Sequence, residues 1–301
     1  MSAIPCPLSV IIVSWNTRDL LAACLDALAA PGGMPDGAEV VVVDNASTDD
    51  SVAYLRARYP WVHLIERPTN SGFAAGTNCG LAAARGAHLL LLNSDTQVRP
   101  GALAAMMAYL QQHAGAGAVG ADMRNPDGSV QPCAGLAPSL LSETCSVLGF
   151  DRKFRALTER RRAAPPAGSY LTRDWVLGAA LMVRRAVYEA VGPLDAGYFM
   201  YSEEIDWCTR IRASGWQVGT LVGAQVLHHG GGSTRRTSDR MRPALFRSKI
   251  RYLSLHRGEQ SARLFRVIVR VVAGLHVIRA QFPGWHKQEE VVSWRAVRQS
   301  I

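Results

Sequence analysis

The sequence lacks the features that mark several classes of protein. It contains six cysteines but no C-x-x-C pair, so neither a zinc ribbon nor a disulfide framework is predicted. No basic segment precedes an apolar one at its start, and no run reaches the ~18 uncharged apolar residues that a membrane-spanning helix needs. The P-loop motif G-x-x-x-x-G-K-[ST] and the dinucleotide-binding motif G-x-G-x-x-G are also missing. We therefore expect a cytoplasmic protein with reduced thiols.

Hydrophobic residues make up 48% of the 301 residues, which is enough for a large core and far too many for a disordered chain. The net charge of +9 is concentrated at one end, because residues 235–301 carry 15 Lys and Arg against 4 Asp and Glu. Such an asymmetry favours an anionic surface as partner, either phospholipid or nucleic acid. No nucleic-acid recognition motif accompanies the charge, so we expect no nucleic-acid partner.

Apolar runs alternate with segments of helical spacing through the first 122 residues. This alternation is typical of a doubly wound α/β fold, a mostly parallel sheet flanked by helices. Further along, we predict an exposed, mobile loop over 133–170 beside the site, and a strand over 175–183 that is broken by Gly178. The predicted strands of the first part cover 8–14, 39–43, 61–65 and 89–92, followed by an apolar segment over 117–121.

Polar residues follow two of these buried strands. Asn93, Ser94 and Asp95 come directly after the leucine run, and Asp44 follows the second strand. Ligands of an open α/β sheet bind beyond the carboxyl ends of its strands, so both aspartates are expected at one edge of the sheet. The alternative interpretation is that each is a helix cap or a turn aspartate. Between them, small residues from Gly72 onward open a helix whose backbone N–H groups would approach a nucleotide closely.

Acidic residues and histidines supply the remaining candidates. Glu203, Glu204 and Asp206 follow an aromatic Y-F-M-Y segment; on a helix Glu203 and Asp206 share a face, while Glu204 points elsewhere. The alternative is an ordinary helix start, where carboxylates are favourable. His228 and His229 precede a Gly-rich turn, and a structural role is the alternative to metal binding. One carboxylate, one imidazole and the oxygens of a diphosphate would suit Mg²⁺ or Mn²⁺.

A series of motifs, in this order along the chain, resembles the family 2 glycosyltransferases with the GT-A fold, and within them the bacterial rhamnosyltransferase-like branch. The motifs are S-V-I-I-V-S-W-N, V-V-D-N-A-S-T-D, N-x-G-F-A-x-G-x-N-x-G, L-L-N-S-D, W-V-x-G-A, F-M-Y-S-E-E-I-D-W-C-x-R and H-H-G-G-G-S. The resemblance implies a GT-A catalytic domain over 1–234, with a nucleotide-sugar-binding half over 1–122 and an acceptor-binding half over 123–234. It leaves 235–301 as a basic, amphipathic helical tail.

The resemblance also implies roles for single residues. Asp44 would hold the pyrimidine of the donor, and Asp95, in the family's D-x-D position, would bind the divalent cation together with His228. The family's general base is the Asp of a Glu-Asp pair, and the matching residue here is Glu204, with Glu203 and Asp206 as alternatives. The other donor-binding residues implied are Ser14, Trp15, Asn16, Asn70, Gly72, Asn78, Asn93 and Ser94, and the acceptor-binding residues are Trp175, Gly178, Ala179 and Trp207.

In the tail, Arg263, Arg266 and Arg270 recur at helical spacing beside a broad face of Val, Ile and Leu. A helix of this kind lies in the interface of an anionic membrane rather than crossing it. We therefore expect peripheral association with the inner face of the cytoplasmic membrane. The alternative is that the helix packs on the body of the protein or on another protomer of a homo-oligomer.

Together these expectations describe an inverting, metal-dependent glycosyltransferase. It would move a sugar from a nucleoside-diphosphate sugar, with dTDP-rhamnose favoured by the family branch, to a glycan or lipid-linked acceptor in bacterial cell-surface polysaccharide biosynthesis. The rival hypotheses are a sugar nucleotidyltransferase, a glycosidase with two carboxylates, and a non-catalytic membrane-associated assembly module of the same fold. The first would want a Gly-rich loop with Arg or Lys after the first strand, and the sequence has none there.

Overall fold

Buried strands that do not alternate form the centre of the sheet. Strand β1 (Leu8–Ser14) pairs in parallel with β2 (Glu39–Asp44) on one side, and with a later strand, β4 (His88–Asn93), on the other. Helices cover both faces, so the Val, Ile and Leu side chains of these strands are buried whichever way they point. The structure, a computed structural model, describes residues 6–150, 165–230, 238–279 and 288–301.

The sheet is mixed beyond this parallel centre. Its further strands are β3 (His63–Glu66), β5 (Thr96–Val98), β6 (Ala116–Arg124), β8 (Tyr170–Thr172), β10 (Ala180–Arg184) and β11 (Gln217–His228). Within the described ranges the order is β3-β2-β1-β4-β10-β6-β11-β5, with β8 paired to β11. The mostly parallel sheet predicted from the alternation is confirmed, but β10 runs antiparallel to both β4 and β6.

The predicted strand over 175–183 is two strands in two sheets. Its first part, β9 (Trp175–Val176), pairs with β7 (Ala134–Gly135) in a small separate sheet, and only β10 enters the large sheet. Gly178 lies in the connection between them. The break predicted at this glycine therefore becomes a change of sheet.

Helices connect the strands. They are α1 (Arg18–Ala29), α2 (Ser51–Arg58), α3 (Phe73–Ala83), α4 (Ala102–Gln112), α5 (Leu140–Val147), α6 (Arg185–Val191) and α7 (Glu203–Ala213). In α3 a Cβ added at Gly80 would lie 2.4 Å from Ile11 Cγ2, and one at Gly76 would lie 3.0 Å from Val13 Cγ1. These glycines therefore let the helix pack closely on β1.

The loop predicted over 133–170 is wrong where α5 forms. Ser139 caps this helix, accepting from the Ser142 N–H at 3.1 Å, while the Ser142 hydroxyl accepts from the Ser139 N–H at 2.9 Å. The usual capping box carries Glu or Gln three residues after the N-cap, so Ser142 at that position is a weak indication of a helix start. Residues 151–164 of the predicted loop lie outside the described residues.

The chain divides into two compact units. The first contains the sheet, and the second contains residues 137–150, 198–202, 238–279 and 288–301 among those described. The helices of its C-terminal part are α8 (Ser238–Arg257), α9 (Glu259–Arg279) and α10 (Gln288–Ser300). They share an apolar core that includes Phe246, Leu253, Phe265, Val269 and Trp294. The predicted helical extension is thus confirmed as helices with a core of their own. Over the described stretches, no helix is both long and apolar enough to cross a bilayer.

Candidate functional site

Hydroxyl groups tie together the carboxyl ends of β1 and β4. The Thr17 hydroxyl lies 2.9 Å from that of Ser14 and 3.0 Å from that of Ser94, and all three residues are buried. Sequence analysis does not identify Thr17, because nothing in the local pattern shows a bond across 77 residues. The two strand ends that carry the predicted site are thus held in one arrangement.

Asp44 and its neighbour Asn45 present buried oxygen acceptors at the end of β2. Asp44 is 3% exposed, and its Oδ2 accepts from the Ser47 N–H at 2.9 Å. The Asn45 amide donates to Asn70 Oδ1 at 2.9 Å and to the Gly72 carbonyl at 3.1 Å. Asp44 Oδ1 and Asn45 Oδ1 are buried with no hydrogen-bond partner among the residues described.

An unpartnered buried acceptor costs roughly 1–3 kcal/mol, so these two oxygens are suited to N–H donors of a bound molecule. Asn45 was missed from the sequence, although it directly follows Asp44. The loops around the two acceptors are braced by predicted residues. Asn16 Oδ1 accepts from the Thr48 N–H at 2.7 Å, and Gly72 starts α3 at φ 90°, a conformation that favours glycine. Trp15 is half-buried just after β1.

Several residues predicted for binding have other roles. The Asn78 amide exchanges two hydrogen bonds with the Leu194 backbone, at 2.8 and 3.0 Å, so it holds that loop against α3. Trp207 is fully buried and donates its indole N–H to the Gly192 carbonyl, and Ala179 is 1% exposed. Both side chains therefore pack in the core, and their acceptor contacts stay a prediction. Trp175 is half-exposed, with its indole N–H bound to the Leu136 carbonyl.

Strand β11 brings His228 to Asp95. His228 pairs with Thr96 in the antiparallel β5–β11 register, and its Nε2 lies 3.3 Å from Asp95 Oδ1 and 3.4 Å from Asn93 Nδ2. Its Nδ1 lies 2.7 Å from Gln131 Oε1. The part of the chain that the structure describes contains no cluster of three or more His, Cys, Asp or Glu that could hold a metal. Asp95 and His228 thus offer two metal-binding groups, and further ligands of a metal would come from a bound diphosphate or water.

The acidic segment forms the first turn of α7. Glu203 and Glu204 are both buried, and within the described chain their Oε2 atoms have no hydrogen-bond partner. Burial raises the pKa of Glu204 to about 7, although backbone N–H groups of Glu204, Ile205 and Gly178 oppose the rise. Burial and the neighbouring Glu204 raise the pKa of Glu203 well above its ordinary value. These are the features of a carboxyl pair poised for proton transfer.

Asp206 differs from the two glutamates. Its carboxylate forms an ion pair with Arg210 one turn later, at 2.8 Å, and Arg210 also donates to the Val191 carbonyl. Glu203 and Asp206, which were expected to share one face of the helix, therefore differ in their contacts, because only Asp206 pairs with Arg210. Just before the helix, Tyr201 and Ser202 hold φ values of 72° and 68°. Such left-handed residues cost about 1–3 kcal/mol each and often occur at functional sites.

Residues 178–179 connect α7 to the end of β4. The Asn93 N–H donates to the Ala179 carbonyl at 3.0 Å, and the backbone N–H of the preceding Gly178 favours the ionised form of Glu204, which lowers its pKa. A Cβ at Gly178 would lie 3.4 Å from Glu204 Cβ. Glu204 is therefore held next to the strand end that Asp95 follows. The edge of the sheet thus combines buried acceptors, a carboxylate–imidazole pair and a carboxyl group that titrates near neutrality.

Several known proteins are similar to this chain in sequence or in fold. The sequence profile of glycosyl transferase family 2 matches residues 9–134. The N-acetylglucosaminyl-diphospho-decaprenol L-rhamnosyltransferase of Mycobacterium tuberculosis is 31% identical over 243 residues, which are 76% of this chain and 78% of that protein. The resemblance to the rhamnosyltransferase-like branch is thereby confirmed.

Solved structures confirm the GT-A fold. The mannosyltransferase PcManGT from Pyrobaculum calidifontis, in complex with GDP-Man and Mn²⁺, matches with a TM-score of 0.58 and 16% identity, covering 96% of this chain and 85% of that one. S. aureus TarS 1–349, in complex with UDP, matches with a TM-score of 0.53 and 16% identity, over 93% of this chain and 74% of that one. At such identities the likeness shows the fold alone. On the sequence similarity to its mycobacterial relative, the chain belongs to glycosyl transferase family 2 and is a glycosyltransferase.

Proposed function

We propose that the protein transfers a sugar, with inversion, from a nucleoside-diphosphate sugar to the hydroxyl group of a lipid-linked glycan in the biosynthesis of a bacterial cell-surface polysaccharide. The observation that carries this proposal is Glu204, a buried carboxyl group with a pKa of about 7, held beside the end of β4. Rhamnose or a similar deoxysugar is the proposed sugar, since the mycobacterial relative is by its name an L-rhamnosyltransferase acting on a diphospho-decaprenol. The proposed catalytic domain is 1–234, with donor and acceptor halves divided at 122.

The donor is proposed to bind along the ends of β1, β2 and β4. Asp44 Oδ1 would accept the ring N–H of a pyrimidine base, and the unpartnered Asn45 Oδ1 supplies a second acceptor nearby in the chain. When a pyrimidine base binds, both oxygens would accept hydrogen bonds from its N–H groups. These bonds would satisfy two acceptors that are otherwise buried without a partner. The other proposed donor residues are Ser14, Trp15, Asn16, Asn70, Gly72, Asn93, Ser94 and Asp95.

A divalent cation, Mg²⁺ or Mn²⁺, is proposed to bind between Asp95 and His228. Gln131 Oε1 can only accept, so His228 Nδ1 donates to it and, in the neutral ring, Nε2 carries the lone pair. That lone pair and the Asp95 carboxylate face each other at 3.3 Å, an arrangement that a cation would stabilise. When bound, the cation would neutralise the charge that grows on the departing diphosphate.

Glu204 is the proposed general base. An acceptor hydroxyl is a weak nucleophile, and a carboxylate that takes its proton during the attack contributes roughly 10²–10⁴ in rate. A pKa of about 7 suits this task at neutral pH. Burial and the neighbouring Glu204 raise the pKa of Glu203 well above its ordinary value, and Asp206 is paired with Arg210; these two carboxyl groups are the alternatives. Trp175 and Gly178 remain the proposed acceptor-binding residues.

No observation favours a sugar nucleotidyltransferase or a glycosidase. A transfer assay distinguishes the proposed enzyme from a non-catalytic assembly module. The experiment measures transfer from labelled dTDP-rhamnose, with UDP- and GDP-sugars in parallel, to a polyprenyl-diphosphate-linked N-acetylglucosamine. We expect transfer that requires Mg²⁺ or Mn²⁺ and inverts the anomeric carbon. Donor-induced thermal stabilisation without any transfer would favour the non-catalytic module.

The tail is proposed to dock peripherally on an anionic membrane through α9. Its apolar residues divide between the core of the second unit and an outer stripe. The stripe residues are 51–61% exposed and share one face of the helix: Leu264, Val267, Val271, Leu275 and Ile278. Arg263 and Arg270 are exposed along one side of that stripe. Apolar side chains edged by arginines suit the interface of a bilayer with anionic headgroups.

Flotation with phosphatidylglycerol vesicles tests the docking. We expect the wild-type protein to float, and the double variant Val267→Ser with Val271→Ser to stay in solution. Val130→Ser, on an exposed side chain of the first unit, is the matched control. Equal flotation of the double variant would refute the surface. A dimer that this variant disrupts in light scattering would assign the stripe to a homo-oligomer instead.

A further inference from the structure

Gln131 joins His228 to a chain of hydrogen bonds that begins on an exposed turn. The Gln131 N–H donates to the Met123 carbonyl, which ties the residue to β6 just after the turn at 125–129. Its side chain lies between two polar groups. Gln131 Oε1 is 2.7 Å from His228 Nδ1, and Gln131 Nε2 is 2.9 Å from Asn125 Oδ1. His228 is 97 residues away in sequence, and no motif links the two.

The direction of every bond in this chain follows from its far end. The Asp127 carboxylate can only accept, so the Ser129 hydroxyl donates to it, at 2.6 Å. The Ser129 oxygen therefore accepts from Asn125 Nδ2, at 2.8 Å. Asn125 Oδ1 is left to accept from Gln131 Nε2. Gln131 must then turn its Oε1 towards the histidine.

The consequence reaches the ring of His228. An amide oxygen accepts only, so Nδ1 carries the hydrogen, and the lone pair of the neutral imidazole is on Nε2. Nε2 is the atom that faces Asp95 Oδ1 at 3.3 Å. His228 is 9% exposed, so water has little access to compete for either nitrogen. Metal-binding histidines commonly depend on such a partner for their tautomer and ring orientation.

We propose that Gln131 is a positioning residue which, through the relay Asp127–Ser129–Asn125, holds His228 in the tautomer whose Nε2 can bind a divalent cation. The proposal rests on the proposed cation role of Asp95 and His228. The turn at 125–129 then has a function in the site, because its hydrogen bonds fix the position of the Gln131 side chain and decide which atom of its amide group faces His228. Loss of such a partner typically weakens metal binding by about 10–100-fold.

The test compares Gln131→Leu with Gln131→Glu in the full chain. Leu is apolar and cannot accept from Nδ1, whereas Glu keeps an oxygen there. The exposed Gln112→Leu is the matched control for the loss of a glutamine. The first readout is ¹⁵N NMR of histidine-labelled, metal-free protein. The spectra are recorded at a pH at which the imidazole ring is neutral, where we expect the Nδ1–H form of His228 in the wild type and in Gln131→Glu, and a mixture of tautomers in Gln131→Leu.

The second readout is Mn²⁺ affinity, measured directly by electron paramagnetic resonance with dTDP present. We expect Gln131→Leu to bind Mn²⁺ about 10–100-fold more weakly than the wild type, and Gln131→Glu to restore binding. Unchanged tautomer and unchanged Mn²⁺ affinity in a folded Gln131→Leu protein would overturn the proposal. If His228→Ala binds Mn²⁺ as the wild type does, the cation role of His228 fails instead. The NMR readout still decides the role of Gln131 on the tautomer.

Discussion

Replacing Glu204 with Gln is expected to stop glycosyl transfer and, at the same time, to stabilise the folded protein above pH 7. Burial raises the pKa of this carboxyl group from 4.5 to about 7. The folded state therefore keeps a proton that the unfolded state has already released. The stability that this proton contributes is fully present below pH 4.5 and is lost as the pH rises through 7.

The size of the effect follows from the same interval. A pKa raised from 4.5 to about 7 corresponds to about 3 kcal/mol of stability lost by pH 8. Gln has the shape of the protonated acid but never ionises, so Glu204→Gln should regain most of that stability at pH 8 and little at pH 5. Catalysis requires the ionised form. Wild-type turnover should therefore rise about tenfold from pH 6 to pH 8, and the variant should lose roughly 10²–10⁴ in kcat.

The assay is urea unfolding of the metal-free protein at pH 5 and pH 8, with turnover measured on the same preparations. Glu189→Gln, on the exposed side of α6, controls for the removal of one carboxyl group. Donor binding by Glu204→Gln should match the wild type. An equal stability difference at both pH values would refute the raised pKa, and near-normal turnover would assign the base to Glu203 or Asp206.

Three further substitutions separate binding, packing and catalysis. Asp44→Asn should weaken UDP or dTDP binding roughly 10- to 100-fold in calorimetry, because the buried acceptor becomes neutral; unchanged affinity would exclude it from the pocket. Gly80→Ala should cost about 1–3 kcal/mol in urea unfolding through overpacking against β1, while Gly115→Ala, whose Cβ enters open space in the described structure, should cost little. Asp206→Asn should lower stability by roughly 1–3 kcal/mol by breaking its pair with Arg210. Turnover per folded molecule should stay near that of the wild type, and a large fall in kcat would contradict the structural role.

The sequence predicts structure best where burial controls the hydrophobic pattern. Strands β1, β2 and β4 are buried on both faces, so their continuous apolar runs predict strands without knowledge of the elements that cover them. Predictions about single side chains were less accurate. Trp207 matched a motif but is a core residue, and the contacts of Thr17 and Gln131 join segments far apart in the chain. A motif shows which residues occur, whereas burial and hydrogen-bond partners depend on the packed chain.

The sequence by itself determined the parallel α/β core and the position of Asp44 and Asp95 at the carboxyl ends of two strands, because parallel strands present these ends at one edge of the sheet. Only the tertiary structure decided how the site is completed. The antiparallel β10 brings residues 178–179 to Asn93, and with them Glu204, while β11 brings His228 to Asp95. Strand order and register arise from long-range pairing. Local propensity and hydrophobic pattern specify which face of an element is buried, but not which distant element covers it.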